Sequence, residues 1–596
     1  MKHKKVRLAL TIFLSCIAFG LFGLSDTFGS YDHVRTCTQS ILDSEIRYAS
    51  FSRSEKVWHG DEEDEYYMEM NTRISTEELE EIEEETGLDL TGVYRSADDY
   101  EISFAENTKL DPHENGQFSF YSTSFYGFAE VGKSDLREHG MTLLAGRLPD
   151  GDQNEIAISQ YIFESFLEGG YLKRKNASAT ESDVIKIKRY EDLLGKTLFL
   201  NQTSYTVVGI VSPGFDMDRY RFLSEKRDEG DTADLILSFA MQKELNSICS
   251  FSLAGAAMVG KGHIQSIVEK EGPYRSVRNS ELYFNFNEAF SYIEKISLFP
   301  SVEKDGILWV NEEKNNLEKH EVLISYNLLN DLMMADGIFD QDLYSLPESR
   351  QKQLLDSLSQ KEFDLLSFSY YERVKESTVK VRIAGILPKE IDGYCLVGSE
   401  ALLSPYISFS NGLYAYVVGP MPEDFDAVKR VVQFSDQEGD VLFSLENPVT
   451  YELSAIHELL KVLSSVFFWI GVGFALFASL MLANFIGTSI AYKKQQIGIL
   501  RAIGARSGDV FRIFFAESFV IAMINFLLSA IGTFAAVYWI NDLLRTETGL
   551  LITILHFTLR QVILLFGTSL LVAALASFFP VKKIASKKPI DAIRGR

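Results

Sequence analysis

The chain has 596 residues, 46% of them hydrophobic, with 13 prolines, 40 glycines and a formal charge of -25. That length admits several domains, and the composition excludes a disordered or collagen-like chain. The apolar residues gather at the two ends and the acids in the middle, so nucleic acid is excluded as a partner of a middle that would repel phosphates.

Lys2, Lys4, Lys5 and Arg7 precede a run without charge from Leu8 to Ser25. The run continues through Phe19, Leu21, Phe22 and Leu24 with no A-x-A cleavage pattern. It therefore predicts a retained first transmembrane helix, within residues 1–30, rather than a signal peptide. Cys16 follows Phe13-Leu14-Ser15, a loose likeness to a lipoprotein cleavage box, but apolar residues continue beyond it. It reads as a cysteine inside a helix.

Between Tyr31 and Lys461 no apolar run is long enough to cross a bilayer, and strand and helix patterns alternate at globular lengths. Residues 31–461 are expected to form one large α+β domain. Its most acidic stretch runs from Asp61 to Glu65 and again from Glu77 to Glu85. Ser75 with Glu78 makes a capping box, Leu79 and Ile82 share a helix face, and Gly87 can end the helix, so a solvated helix is expected there rather than a cation site. The aromatic runs at Phe118, Phe120, Phe125, Tyr126 and Phe128, and at Tyr283, Phe284, Phe286 and Phe290, read as core-facing strands.

Asn154-Glu155-Ile156-Ala157-Ile158-Ser159 is echoed by His320-Glu321-Val322-Leu323-Ile324-Ser325. Downstream, Tyr205-Thr206-Val207-Val208-Gly209-Ile210-Val211 is echoed by Val381-Arg382-Ile383-Ala384-Gly385-Ile386-Leu387. The order and spacing suggest an internal repeat over about 120–220 and 305–405.

Catalytic patterns fail on inspection. Gly195-Lys196-Thr197 resembles the end of a phosphate-binding loop, but the earlier glycine that must wrap the phosphate is absent. His457-Glu458 begins like a zinc-protease helix, but Lys461 occupies the second histidine's place. No metal ligand set and no G-x-S-x-G elbow is present. Cys16, Cys37, Cys249 and Cys395 lie far apart, which leaves room for at most one bridge among the last three.

Three further uncharged spans follow: Val462 to Tyr492, Ser518 to Asn541 and Gln561 to Val581. The first is longer than needed, and its surplus is expected to project as a stalk reaching back to Thr450. Basic residues fill the segment 493–512 and the tail 582–596, and the positive-inside rule places both, with the N-terminus, in the cytoplasm. Those three segments carry about +13, leaving about -38 almost entirely to residues 31–461. The fold class expected is an α-helical membrane domain of four transmembrane helices, one plus three, carrying a large extracellular α+β domain. The second helix is 462–492 and the third and fourth lie within 513–581, so the protein is a multi-pass protein of the cell membrane.

Segment 493–512 contains Ile497, Leu500 and Ile503 at helical spacing among basic residues, an amphipathic helix for the membrane's inner surface. Its order resembles the loop of MacB/FtsX-like ABC transporter permeases: a basic stretch, an E-I-G-x-x-R-A-x-G core and a glutamate inside the next span. Ile497, Gly498, Arg501, Ala502 and Gly504 match that core, and Glu517 matches the later acid. Gln496 departs from the family's glutamate. The tail Pro580–Arg594 resembles the family's closing P-x-x-x-A-x-x-x-P-x-x-A-L-R pattern, and Gly146-Arg147, Asn154–Ile158, Leu194–Lys196 and Val208–Ile210 resemble the MacB-type extracellular domain.

The resemblance implies a permease subunit that is not itself an enzyme. ATP and Mg would be bound only by a separate ABC ATPase subunit, and a second permease chain, identical or not, completes the assembly among membrane lipids. It also implies that Gln496, Ile497, Gly498, Leu500, Arg501, Ala502, Ile503 and Gly504 form the ATPase-coupling site, with Glu517 an intramembrane acid. Gly504 would allow the turn into the third span. The expected role is export or extraction of a peptide, lipoprotein or amphipathic antimicrobial compound. The alternative is an FtsX-like regulator or sensor controlling a cell-wall hydrolase or an antimicrobial-peptide response.

Overall fold

The computed structural model describes residues 2–585 except 45, 60–65, 97–100, 113–117, 174–183, 201–202, 226–231, 272–274, 278–279, 287–288, 300, 303–305, 312–315, 336–346, 370–374, 392, 404–405, 407–411, 438, 494–495, 497–498 and 501. The acids Asp61 to Glu65 and the tail residues 586–596 thus lie outside the described residues.

Two mixed sheets, of eleven and nine strands, make the α+β part. In the first, strand Glu155–Ser159 runs parallel to Thr203–Val211, and helix Gln160–Gly169 supplies the crossover that a parallel pair needs. In the second, Glu321–Ile324 runs parallel to Lys375–Ile386 after helix Tyr326–Ala335. Ser159 accepts from the Ile162 N–H at 3.3 Å, and Ser325 from the Leu328 N–H at 3.5 Å, so a serine starts the helix in both.

The neighbours correspond too. Ala257–Val259 lies antiparallel to the first strand and parallel to Phe128–Glu130. Cys395–Gly398 lies antiparallel to its counterpart and parallel to Lys295–Leu298. Both parallel pairs slip register at one place, where Gly209 comes opposite Ala157 and Gly385 opposite Leu323. A Cβ at Gly209 would run into the Arg147 carbonyl, and one at Gly385 would come within 2.9 Å of the Leu308 carbonyl. The close approach of a third strand explains a glycine at both places.

The second unit is inserted into the first, which the chain leaves after helix His263–Glu271 and re-enters at strand Tyr416–Pro420. Strand Tyr48–His59 binds the whole together, pairing antiparallel with Tyr66–Thr72, Tyr416–Pro420 and Val441–Leu445. It follows the first long helix with only helix His33–Asp43 between them, and Val441–Leu445 immediately precedes the second long helix. Both routes into the bundle therefore start from paired strands, Phe51 facing Leu445.

Helix Thr76–Thr86 has the capping box of Ser75 and Glu78 and ends at Gly87 with φ +74°, its Ile82 fully buried. Phe120, Phe125, Phe128 and Phe284 are core residues as their alternation requires. Phe290 is not: at 58% exposure it sits on a short hairpin strand, Ala289–Tyr292, at the edge of the second sheet. All four cysteines are free thiols, three of them buried.

Four long helices form the bundle: Lys2–Gly29, Pro448–Tyr492, Ser507–Thr548 and Leu559–Ala585. The stretches Pro448–Met481 and Phe511–Thr546 are long and apolar enough to cross a membrane, while Cys16–Gly29 and Leu559–Leu575 are shorter apolar helices. The first helix packs against the other three. Cys16 donates to Asn525 at 2.9 Å, Ser529 donates to the Cys16 carbonyl at 3.1 Å, and Thr533 donates to the Gly20 carbonyl at 3.2 Å. Small and hydroxylated residues at such contacts let helices approach where lipid supplies no hydrophobic drive. Val462, Leu480, Ile531 and Leu571 are each at least 60% exposed, an apolar girdle suited to hydrocarbon rather than water.

Candidate coupling sites at the two ends of the bundle

A 45-residue helix spans about 67 Å at 1.5 Å per residue, so its start and end are far apart. Tyr492 therefore marks the end of the bundle remote from the sheets. There Gln496, Ile499, Leu500 and Ala502 are helical, and the chain turns at Ile503 and Gly504. The Ala505 N–H closes the turn on the Leu500 carbonyl at 3.1 Å, and Gly504 has φ +112°, a conformation open to glycine at little cost. The amphipathic helix expected within 493–512 thus stops at Ala502, because the left-handed turn at Gly504 diverts the backbone. The next helix begins at Ser507, with Asp509 accepting from the Arg506 N–H at 2.9 Å, so 507–512 belong to that helix.

Gln496, Leu500, Ala502, Ile503 and Gly504 are all exposed here. Ile499, Leu500 and Ile503 show 49, 42 and 80% of their surface, an uncovered apolar cluster on one short element. Ile497, Gly498 and Arg501 lie outside the described residues. Glu517 falls within helix Ser507–Thr548, but its side chain lies outside them as well.

The end nearer the sheets holds an arrangement that spacing in the sequence does not reveal. Pro448 opens the long helix, and Asn447 and Thr450 cap it reciprocally: the Thr450 N–H donates to Asn447 Oδ1 at 2.9 Å and the Asn447 N–H to Thr450 Oγ1 at 3.0 Å. Val449 and Leu453, on its first turns, are fully buried in the core of the first sheet. The connection between the last two helices enters the same core through Ile552. This connection is therefore a structural plug.

Polar bonds fix this plug on three sides. Glu452 of the long helix accepts from the Leu551 N–H at 2.8 Å. Arg219 donates to the Gly549 carbonyl at 3.3 Å while its Nε meets Glu244 at 3.0 Å, and Tyr220 donates to the same carboxylate at 2.9 Å. On the third side Thr553 donates its N–H to Ser40 at 2.7 Å and its hydroxyl to Asp43 at 2.8 Å, and Arg545 bridges to Asp43 at 3.1 Å. Helix His33–Asp43 is thereby joined to the end of the third long helix and to the connection that follows it. Close by, Tyr31 meets His457 at 3.0 Å, and Gln561, buried at the start of the fourth helix, donates to Asp26 at 3.2 Å and Ser30 at 3.1 Å.

Burial sets the electrostatics of this junction. Residues 448–461 of the long helix contain Glu452, His457, Glu458 and Lys461 and precede the uncharged span that starts at Val462. Glu452 is pushed up to about 8, first by burial and then by the Glu244 charge beside it, so it holds its proton at neutral pH. Burial also raises Glu244, against the pull of Arg219. His556 of the plug is held down to about 4 by burial and by the Arg35 guanidinium, and is neutral. Among the described residues no cluster of His, Cys, Asp and Glu is fit to hold a metal ion.

A rise in acid and base density around 540–560 is the one sequence signal of the plug, and it is weak. Arg219, Glu244 and Gly549 meet only through folding, more than 300 residues separating the first from the last.

Comparison with known proteins bears on the bundle. The family model described as "FtsX-like permease C-terminal" matches residues 468–589, which is the long helix beyond its first turns, the remote turn, and the last two helices. The "Macrolide export ATP-binding/permease protein MacB" of Bdellovibrio bacteriovorus is similar to the chain, 24% identical over 240 residues, covering 37% of this chain. The chain spans about a third of that relative's length, 35%.

Proposed function

We propose that this chain, whose residues 468–589 match the FtsX-like permease C-terminal domain and which is similar to a MacB protein, is the membrane subunit of an ABC transporter, driven by an ATPase on another polypeptide. The observation that carries the reading is the bare apolar turn at Ile499, Leu500 and Ile503, displayed at the far end of a helix whose first turn is buried among the sheets. Leu500 and Ile503, with Ile497, would fill a groove on the ATPase, and Arg501 would pair with an acid there. In this reading the turn lies in the cytoplasm, the sheets lie outside, all four long helices cross the membrane, and two such chains pair across their apolar girdles.

Transmission requires stiffness. The helix from Pro448 to Tyr492 is continuous, so a displacement at its remote end moves the sheets rather than dissipating in a linker. The plug deepens the case: the third and fourth helices reach the same core, so both arms flanking the turn pull on one body. The cargo proposed is a peptide, lipoprotein or amphipathic antimicrobial compound.

The test is co-expression with the cognate ATPase, reading co-purification and ATPase activity in membranes. Leu500→Asp with Ile503→Asp is expected to abolish both, at unchanged expression, since neither side chain supports the fold. Undiminished co-purification of the double variant, or topology mapping that puts the turn and the sheets on one side, would overturn the reading.

A further inference from the structure

Between the sheets and the bundle lies a cavity of about 490 Å³ that the coupling mechanism does not use. It is walled by the end of the first helix, the start of helix His33–Asp43, helix Phe425–Ser435 and the start of the fourth helix, Leu559–Ala585. Three cations line it, Arg35 and Lys429 from a globular part that otherwise carries a large negative charge and Arg560 from the fourth helix. Neither Arg35 nor Lys429 has a carboxylate at ion-pair distance among the described residues. Arg560 reaches Asp26 at 3.4 Å but keeps 57% of its side chain exposed.

The acids at the cavity are already committed. Asp32 accepts from the Arg35 N–H at 2.7 Å as a helix cap, and Asp26 is held by Gln561 and Arg560. His556, which also lines the cavity, is neutral and adds no charge. Ser30 and Thr558 also line it, each hydroxyl donating within the protein, Ser30 to the Thr27 carbonyl at 3.3 Å and Thr558 to Gln561 Oε1. This is the chemistry that receives a phosphodiester: converging cations and a net positive wall.

The height of the cavity along the bundle identifies the phosphodiester's carrier. The first helix ends at Gly29, packed within 3.4 Å of the Phe468 backbone by its would-be Cβ, and the neighbouring Trp469 is 69% exposed. Trp539, on the third helix just before the Asn541 that bonds Leu555, is 62% exposed. Exposed tryptophans at one level mark where hydrocarbon gives way to headgroups. Phe425, 37% exposed, lines the cavity and Leu559, 73% exposed, adjoins Arg560, so an occupant with an acyl tail finds apolar side chains beside its charge.

We propose that this cavity is a binding site for the phosphodiester headgroup of an anionic membrane lipid, held by Arg35, Lys429 and Arg560 and seated between the globular part and the helix bundle. A lipid there would bridge helix Phe425–Ser435 and the fourth helix, both of which wall the cavity. The site depends on the bundle sitting in a bilayer, not on any ATPase, so ATPase co-purification and lipid binding can fail separately.

The test uses the full chain, purified in a neutral detergent and reconstituted into nanodiscs of phosphatidylcholine with a small fraction of fluorescent phosphatidylglycerol. Energy transfer from the protein's tryptophans reads binding. Arg35→Gln with Lys429→Gln is expected to weaken phosphatidylglycerol binding at least tenfold, while Arg35→Lys with Lys429→Arg retains it and Lys261→Gln, remote from the cavity, leaves it unchanged. Inorganic phosphate and soluble glycerol phosphate at millimolar concentration are expected not to compete, because they lack the acyl contacts. Equal binding by wild type and the double glutamine variant would overturn the proposal. So would displacement by inorganic phosphate, which would make this a free-anion site, or equal retention of phosphatidylcholine.

Discussion

The Leu551 backbone N–H donates to the Glu452 carboxyl at 2.8 Å, fastening the connection between the last two helices to the first turn of the long helix. Two arms that meet at the remote turn are therefore joined again where they enter the sheets. Opening this bond frees one arm from the other. Glu452→Ala is expected to lower the unfolding midpoint of the detergent-solubilised chain by several degrees and to speed hydrogen exchange at 549–553, whereas Glu452→Gln, which keeps an acceptor, does so far less. Exchange mass spectrometry of the two variants decides it.

The same residue gives a pH dependence. Its folded value, about 8, exceeds the ordinary carboxylate value, so between roughly pH 4.5 and 8 the folded chain holds a proton that the unfolded chain has lost. Stability contributed here falls as pH rises through that window. Melting curves of Glu452→Gln against wild type at several pH values are expected to diverge progressively up to about pH 8, the variant gaining.

His139 and His556 act with the opposite sign. Burial holds both down to about 4, so between about 6.5 and 4 the unfolded chain binds protons that the folded one refuses. Their contribution is lost as pH falls through that range. A His139→Gln, His556→Gln variant is expected to show a shallower acid-side decline in melting temperature than wild type.

Arg219 neutralises Glu244, whose side chain is only 1% exposed. Arg219→Ala strands that charge and is expected to cost about 3 kcal/mol, or to force uptake of a proton by Glu244. The double change Arg219→Met with Glu244→Leu removes both charges and is expected to recover much of the loss. A denaturation series of the singles and the double measures the coupling directly.

Gly146, with φ +74°, faces the Val208 carbonyl so closely that a Cβ would collide with it, while Gly151, with φ +59°, has open space. Gly146→Ala is expected to destabilise by about 3 kcal/mol through strain and strand displacement. Gly151→Ala pays backbone strain alone, about 1 kcal/mol. Comparable denaturation midpoints for the two would contradict the packing argument.

Local patterns carried much of this protein. The Ser75–Glu78 cap, the Gly87 stop and the inward aromatics at Phe120 and Phe125 follow from spacing of a few residues, which side-chain geometry within one element enforces. The apolar stretches and the basic residues beside them mark the bundle for the same reason, since hydrocarbon admits only long runs without charge. The order around Gly498 and Gly504 marks the remote turn.

What spacing cannot carry is which distant residues meet. Arg219 finds Gly549, Glu452 finds Leu551, and Thr553 finds Ser40 and Asp43 only after two sheets and four helices have closed around a common core. The cavity of Arg35, Lys429 and Arg560 draws on four separate elements. The sequence by itself determined the kinds of element and where they change, because those depend on neighbours along the chain. The tertiary structure decided the plug, the buried acid pair and the cationic cavity, because each exists only where burial removes water from groups that lie hundreds of residues apart.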